Sequence, residues 1–362
     1  MTATGVRLSS DRRECVRWAV LALGVHAGLV AVLLARTGDP AWFIHLGSQR
    51  IPITLARHVL GAHVSVPHLD GHDGRFFWIQ GRDPLLLHPH IAVANLDRPA
   101  YRLQRIGYPA LAAPWRIFGE YGLVWGLIVT NLVAVAAGTY ATARLALAVG
   151  APARVALAFA LNPAVLIATV FDVSDGLMLA ALIGCVLMVR RERWAWAVGL
   201  GVLAALAKEP ALAALAGIAV FAPGINLRRR VQLVVIPGAI AAAWGIYVRI
   251  RLGWPTTAVN EFTAPFYGYL DAYRRGWSLT GDWGNAAIAG ALVVLAVVVV
   301  VRWWQRRTLL LAAALPFAAM VPFFTAQVLD LADNSLRVVA PIVTLLVLDV
   351  YASAGRKPAE AL

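Results

Sequence analysis

Apolar runs recur along this chain more densely than a water-soluble globule could bury. Ten stand out: Trp18–Ala35, Tyr121–Ala143, Val155–Phe171, Gly176–Val189, Trp194–Ala207, Ala211–Ala222, Val231–Val248, Ala286–Val301, Leu309–Thr325 and Val338–Leu348. Hydrophobic residues make up 60% of the chain and charged residues only 14%. Mean hydropathy is +0.71. An ordinary soluble domain carries about 25% charged residues, and much of any folded surface must face water. The composition therefore excludes a soluble enzyme, a disordered chain, a coiled coil and a disulfide scaffold. It leaves an all-α polytopic membrane protein, read as one integral-membrane domain over residues 1–362 with about ten transmembrane helices.

The net charge of +13 then reports topology. Alternating the runs across a bilayer from a cytoplasmic N-terminus places Arg7, Arg12, Arg13 and Arg17 inside. The later connections on that side carry Arg144 and Arg154; Arg190, Arg191 and Arg193; Arg228, Arg229 and Arg230; Arg302, Arg306 and Arg307; and Arg356 with Lys357. Every short inner connection is basic, as the positive-inside rule asks. The excess charge thus meets anionic lipid, not nucleic acid. Both termini are expected in the cytoplasm, and Trp18–Ala35 is expected to be a retained anchor. Cys15 and Cys185 offer no disulfide framework.

Two short runs carry a further implication. Gly176–Val189 and Trp194–Ala207 hold 14 residues each and reach about 21 Å, against a hydrocarbon core of about 30 Å. Polar residues at their outer ends must sit at depth, which is tolerated only inside protein or against a wet cavity. Asp172, Asp175, Lys208 and Glu209 are therefore expected to line a cavity open to the outside. Lys208-Glu209-Pro210 either splits 194–222 into two spans or kinks one. Splitting keeps Arg228–Arg230 inside and is adopted.

The outer side carries two long loops, 36–120 and 251–285. The first exceeds ordinary connection lengths and is expected to be functional. Pro52 is expected to open a short helix, Ile53–Leu60, lying on the membrane surface. The aromatic residues crowding the second loop, among them Phe262, Trp277 and Trp283, read as an interfacial belt, or as a stacking surface for sugar or lipid.

Asp-Gly-Arg-Phe-Phe (73–77), Leu-Asp-Arg-Pro-Ala-Tyr-Arg-Leu-Gln-Arg-Ile-Gly-Tyr-Pro (96–109), Val-Ser-Asp (173–175) and Leu-Ala-Lys-Glu-Pro-Ala-Leu (206–212) together resemble bacterial integral-membrane glycosyltransferases of the GT-C fold. The phosphatidylinositol-glycan mannosyltransferases are more distantly similar. The resemblance covers most of the chain and is concentrated in the first loop. It implies a bacterial plasma membrane protein using a sugar donor carried on a polyprenyl phosphate, a glycolipid or glycan acceptor, and inversion at the sugar carbon. It also implies a catalytic acidic residue in the first loop, which maps to Asp73. The chain departs from the pattern at His72, where relatives often carry Tyr, and at Asp175, where they carry Glu. It is short for the superfamily and is expected to carry no extracytoplasmic C-terminal domain.

The residue chemistry is compatible with that role. Sugar transfer needs a carboxylate to take the acceptor hydroxyl proton, and Asp73 between Gly71 and Gly74 leaves room for a ligand. Asp70 is the rival, and an Asp-Gly turn is the competing reading. Arg98, Arg102 and Arg105 would share one helix face and suit a phosphate, or else lipid headgroups. Asp97 is expected to cap that helix. Lys208 and Arg337 are assigned to the donor phosphate. Asp70, Tyr101, Asp175 and Glu209 are assigned to sugar or acceptor. Seven of the eight histidines lie between His45 and His90, so a divalent metal stands as an alternative, but no spacing matches a metal motif. Two other functions use the same charges: a flippase for lipid-linked sugars, which needs no base, and a non-catalytic partner in envelope assembly.

Overall fold

The computed structural model describes residues 3–48, 52–66, 71–254 and 262–354. Among these residues the regular structure is helical, and an isolated antiparallel bridge joins Phe262 to Phe324. Helix α1 (Ala3–Thr37) is followed by five short helices in the first loop: α2 (Pro52–Leu60), α3 (Gly74–Arg82), α4 (Pro89–Asn95), α5 (Pro99–Arg102) and α6 (Gly107–Ala112). Next come α7 (Glu120–Ala148), α8 (Leu157–Ala160), α9 (Pro163–Phe171), α10 (Asp175–Arg190), α11 (Trp194–Ala207), α12 (Ala211–Phe221) and α13 (Leu227–Leu252). The chain ends through α14 (Tyr267–Ala272), α15 (Ser278–Thr280), α16 (Trp283–Arg306), α17 (Leu309–Met320), α18 (Ala326–Leu329), α19 (Ala332–Val338) and α20 (Ala340–Ala354).

Each apolar run is helical, but their lengths differ. Four stretches are long and apolar enough to cross a membrane: Asp11–Thr37, Glu120–Ala148, Leu227–Leu252 and Trp283–Arg306. Bent pairs raise the number to as many as six: Ala153–Ala160 with Pro163–Phe171, at 51°, and α19 with α20, at 54°. The protein is a helical membrane protein. Helices α10, α11, α12 and α17 are shorter, at 16, 14, 11 and 12 residues. The split at Lys208-Glu209-Pro210 is present, with Lys208 extended (φ −161, ψ 126) at the end of α11.

Burial divides the helices into centre and periphery. All of α10 is buried except Met188 and Arg190, and it packs chiefly between α7 and α11. The most apolar stretches of α1, α13 and α16 are largely uncovered, as expected of helices that face lipid. The two bent pairs brace one another. Asn162, at the α8–α9 break, accepts from its own helix start at Ala164 N (3.0 Å). Its amide donates across to Ala340 O (2.9 Å) and Thr344 Oγ1 (3.2 Å) at the start of α20. Proline at the first turn of α9 lacks the N–H that would otherwise need a partner. Helix α1 is tied to the same region by buried His26, whose ring nitrogens lie 2.7 Å from Thr169 Oγ1 and 2.9 Å from Ala160 O. Cys15 and Cys185 are free and buried.

Candidate functional site

The site begins at a tight turn. Gly71 has φ +68, and a Cβ there would lie 2.6 Å from Gly47 N and 2.7 Å from His45 O. Only glycine fits both the conformation and the space. His72 N donates to His45 O (2.8 Å), and Phe76 N donates to Asp73 O (2.9 Å) as α3 starts. Gly74 follows, with its α-carbon packed against the backbone of Phe171 and Ile44. Gly74→Ala is expected to cost about 1–3 kcal/mol through overpacking and to displace Asp73. An unchanged melting temperature in detergent would show that α3 can slide without cost.

Asp73 occupies the residue before α3, but its side chain caps nothing. It reaches instead across the fold. Arg102 Nη1 donates to Oδ1 (3.2 Å) and Arg337 Nη2 donates to Oδ2 (3.0 Å). Arg337 also donates through Nε to Asp175 Oδ2 (2.9 Å), and Lys208 Nζ donates to Asp175 Oδ1 (2.5 Å). One chain of charges therefore joins α3, α5, α10, the α11–α12 break and α19. Burial alone would raise the Asp73 pKa. The guanidiniums of Arg337 and Arg102, with smaller contributions from His72 and Arg105, outweigh it and hold the carboxyl well below the usual carboxylate range.

The arginines are placed by a turn rather than by one helix face. Helix α5 is only four residues long and ends at Arg102, so Arg98, Arg102 and Arg105 do not share a continuous helix. Pro99 and the Leu103–Gln104 turn wind the chain tightly enough to aim all three into one cavity. Asp97 does not cap α5. Its carboxylate accepts from Arg102 Nε (3.1 Å) and Nη2 (3.2 Å). That fork-on-fork pair, with the Phe76 ring 4.0 Å from the guanidinium, fixes Arg102 in orientation. Arg105 donates through Nε to Glu209 Oε2 (3.1 Å) and through Nη2 to Tyr101 Oη (2.6 Å). Lys208 and Glu209, neighbours in sequence, thus take different partners.

The cavity encloses about 450 Å³. Its lining joins the polar and charged side chains of Asp73, Arg98, Tyr101, Arg102, Arg105, Lys208, Glu209 and Arg337 to the apolar ones of Phe262, Met320, Phe324 and Val328. Asp175 does not reach it. It is fully buried behind Lys208 and Arg337, so the expected sugar contact gives way to a positioning role for those two cations. Asp70 and His68 lie outside the described residues. Among the described residues, no three His, Cys, Asp or Glu side chains gather as metal ligands.

Further contacts tie the first loop to the rest of the bundle. His72 Nε2 lies 3.0 Å from Asp333 Oδ2, and its ring stacks on Phe171 at 4.4 Å. That contact joins the first loop to α19; the sequence offers His72 as a metal ligand, not as the partner of Asp333. Behind the cavity Tyr108 Oη donates to Leu127 O (2.9 Å) and receives from Asn131 Nδ2 (2.7 Å). Asp172 is fully buried beside them, in the left-handed conformation that ends α9. It is therefore not on the cavity wall, where its place at the end of a short run had put it. Compared with family models, curated proteins and solved structures, the chain matches none.

Proposed function

We propose that the protein is a GT-C-type glycosyltransferase that moves one sugar from a polyprenyl-phosphate donor to a glycolipid or glycan on the outer face of a bacterial plasma membrane. In this reading the ten apolar helical segments all count as spans, the short ones ending at the cavity, and both termini are cytoplasmic. One observation carries it: a carboxylate, Asp73, stands at a cavity lined by both cations and apolar side chains.

The acceptor hydroxyl oxygen attacks the anomeric carbon, and Asp73 takes its proton. The bond from that carbon to the lipid phosphate oxygen breaks, its electron pair leaves with the phosphate, and the sugar carbon inverts. Arg98, Arg102, Arg105, Lys208 and Arg337 stabilise the departing phosphate. Tyr101 and Glu209 contact sugar or acceptor.

Four of the five cations are matched by four carboxylates: Arg102, Arg105, Lys208 and Arg337 pair with Asp73, Asp97, Asp175 and Glu209. A donor phosphate must therefore take guanidinium hydrogen bonds away from carboxylates. As Arg102 and Arg337 turn to phosphate, Asp73 loses the charges that hold its pKa down and becomes a stronger base when the donor arrives. The free enzyme keeps Asp73 ionised below the ordinary aspartate pKa of about 3.9, so the acid limb of kcat/KM should not rise above that pH. Arg102→Gln should shift the limb upward, because a neutral side chain no longer favours the carboxylate. A limb that does not move would show that Asp73 is not the titrating group.

The direct test is transfer from a panel of radiolabelled polyprenyl-phosphate sugars by the purified protein in detergent. Labelled product from one donor supports the reading. Folded protein that binds the donors and transfers from none of them overturns it.

A further inference from the structure

A second cavity, about 510 Å³ in volume, lies at the far end of the bundle from Asp73. Helix α10 starts at Asp175 beside the first cavity and ends at Arg190 beside the second, some 22 Å away at about 1.5 Å per residue. Helix α11 runs the other way, from Trp194 at the second cavity to Lys208 at the first, and α17 connects them again, from Leu309 to Met320.

Three turns surround the second cavity. The α10–α11 turn supplies Arg190, the α12–α13 turn Arg229, and the α16–α17 turn Arg306 and Arg307. Neighbouring arginines are already occupied. Arg302 donates to Asp349 Oδ2 (2.7 Å). Arg230 donates to the carbonyls of Ile225 (2.8 Å) and Ala222 (2.8 Å) at the end of α12. By contrast, the side chains of Arg190, Arg306 and Arg307 have no hydrogen-bond or ion-pair partner among the described residues. Arg229 lies over the Trp194 ring at 4.8 Å, and its nearest carboxylate, the exposed Glu192, is 3.9 Å away. Trp194 contributes a second kind of donor: its indole Nε1–H is buried and finds no acceptor among the described residues.

The inventory is therefore donors without acceptors. Asp349, on the same wall, is neutralised by Arg302 and accepts from Thr308 Oγ1 (2.9 Å). Four arginines from three separate turns line one concave surface, and Glu192, set against Arg229, offsets only one of their charges. Arginines that only mark the inner face of a membrane protein need not converge at all. Guanidiniums remain charged at every accessible pH and match tetrahedral oxyanions in pairs of parallel hydrogen bonds. A buried N–H with no acceptor costs free energy unless a ligand supplies one.

We propose that this cavity is a phosphate-binding site, with Arg190, Arg229, Arg306, Arg307 and the Trp194 N–H as its donors. The group it takes is a phosphate, either the ester of a lipid headgroup or a free inorganic phosphate. Leu145, Val149 and Leu310 on its inner wall would accommodate an acyl chain in the first case. The site does not depend on the sugar-transfer reading of the Asp73 cavity.

The test uses full-length protein in zwitterionic detergent. Phosphatidylglycerol binding is measured against phosphatidylcholine by native mass spectrometry, and inorganic phosphate and pyrophosphate binding by calorimetry. Arg190→Gln/Arg306→Gln is expected to weaken binding about tenfold or more. Trp194→Phe keeps the ring and removes the donor; it should weaken binding about threefold. Arg12→Gln/Arg13→Gln, on the exposed side of α1, should leave it unchanged. Selective loss of phosphatidylglycerol assigns a lipid headgroup; selective loss of inorganic phosphate or pyrophosphate assigns a soluble one. If neither probe is weakened in the folded variants, or the α1 pair weakens binding equally, the site is not there. Should the double variant fold poorly, Arg307→Gln, at an exposed turn, carries the same reading.

Discussion

Asp73→Asn is expected to lower sugar transfer about 10²–10⁴-fold, the usual contribution of a positioned general base. The variant is a clean one for physical reasons. Asparagine keeps the shape and one acceptor oxygen. Arg102 retains Asp97, and Arg337 retains Asp175, so neither guanidinium is stranded when the charge at position 73 disappears. Donor binding should therefore survive, and kcat should fall far more than KM rises. The same variant separates the other functions. A flippase needs no proton acceptor and would keep its rate in a vesicle translocation assay. A non-catalytic assembly partner would tolerate substitution at Asp73, Arg102 and Arg337 alike.

Asp175→Ala should have the largest effect on stability. Lys208 and Arg337 are nearly inaccessible to solvent and both lean on this one carboxylate. Removing it leaves two buried cations side by side, and breaking such a network by deleting one partner costs about 3–5 kcal/mol. At about 2–4 °C per kcal/mol for a chain beyond a small domain, the melting temperature in detergent should fall by roughly 6–20 °C. Adding Lys208→Met to Asp175→Ala should restore part of the loss, since one unpaired charge goes with it. If the double variant melts no higher than the single, the loss comes from packing and not from charge.

The contrast between these two aspartates shows how far the sequence could be read. Helix positions were legible because lipid-facing and buried helices alike need long apolar stretches, and the break at Lys208-Glu209-Pro210 was legible from its chemistry. That Lys208 and Glu209 would line a cavity was legible from the depth that short helices impose, although Asp172 and Asp175, placed there by the same argument, are buried behind it. Partner choice was not. Lys208 pairs with Asp175, 33 positions away, and Arg105 with Glu209, 104 positions away. Nothing in local spacing encodes either pair, because tertiary packing decides which carboxylate comes within reach. The helix expected for Arg98 to Arg105 ended after one turn for the same reason. Trp244 and Gln80 both donate to Leu103 O (2.8 Å each), fixing a turn where continuing the helix would have carried Arg105 elsewhere.

The brevity of α11 has an energetic consequence for any substrate with a lipid tail. Its 14 residues reach about 21 Å, short of a hydrocarbon core of about 30 Å, so under the proposed function Lys208 would meet the donor phosphate below the level of the surrounding headgroups. Phe262, Met320, Phe324 and Val328 line the same cavity and offer apolar surface beside the cations. A polyprenyl chain can then stay in oil while its phosphate reaches the cations. Lifting the chain into water would cost about 0.8 kcal/mol for each methylene exposed. A site set level with the headgroups would demand that work at every turnover; a sunken one would exempt the donor lipid from extraction and leave the acceptor hydroxyl to make the descent.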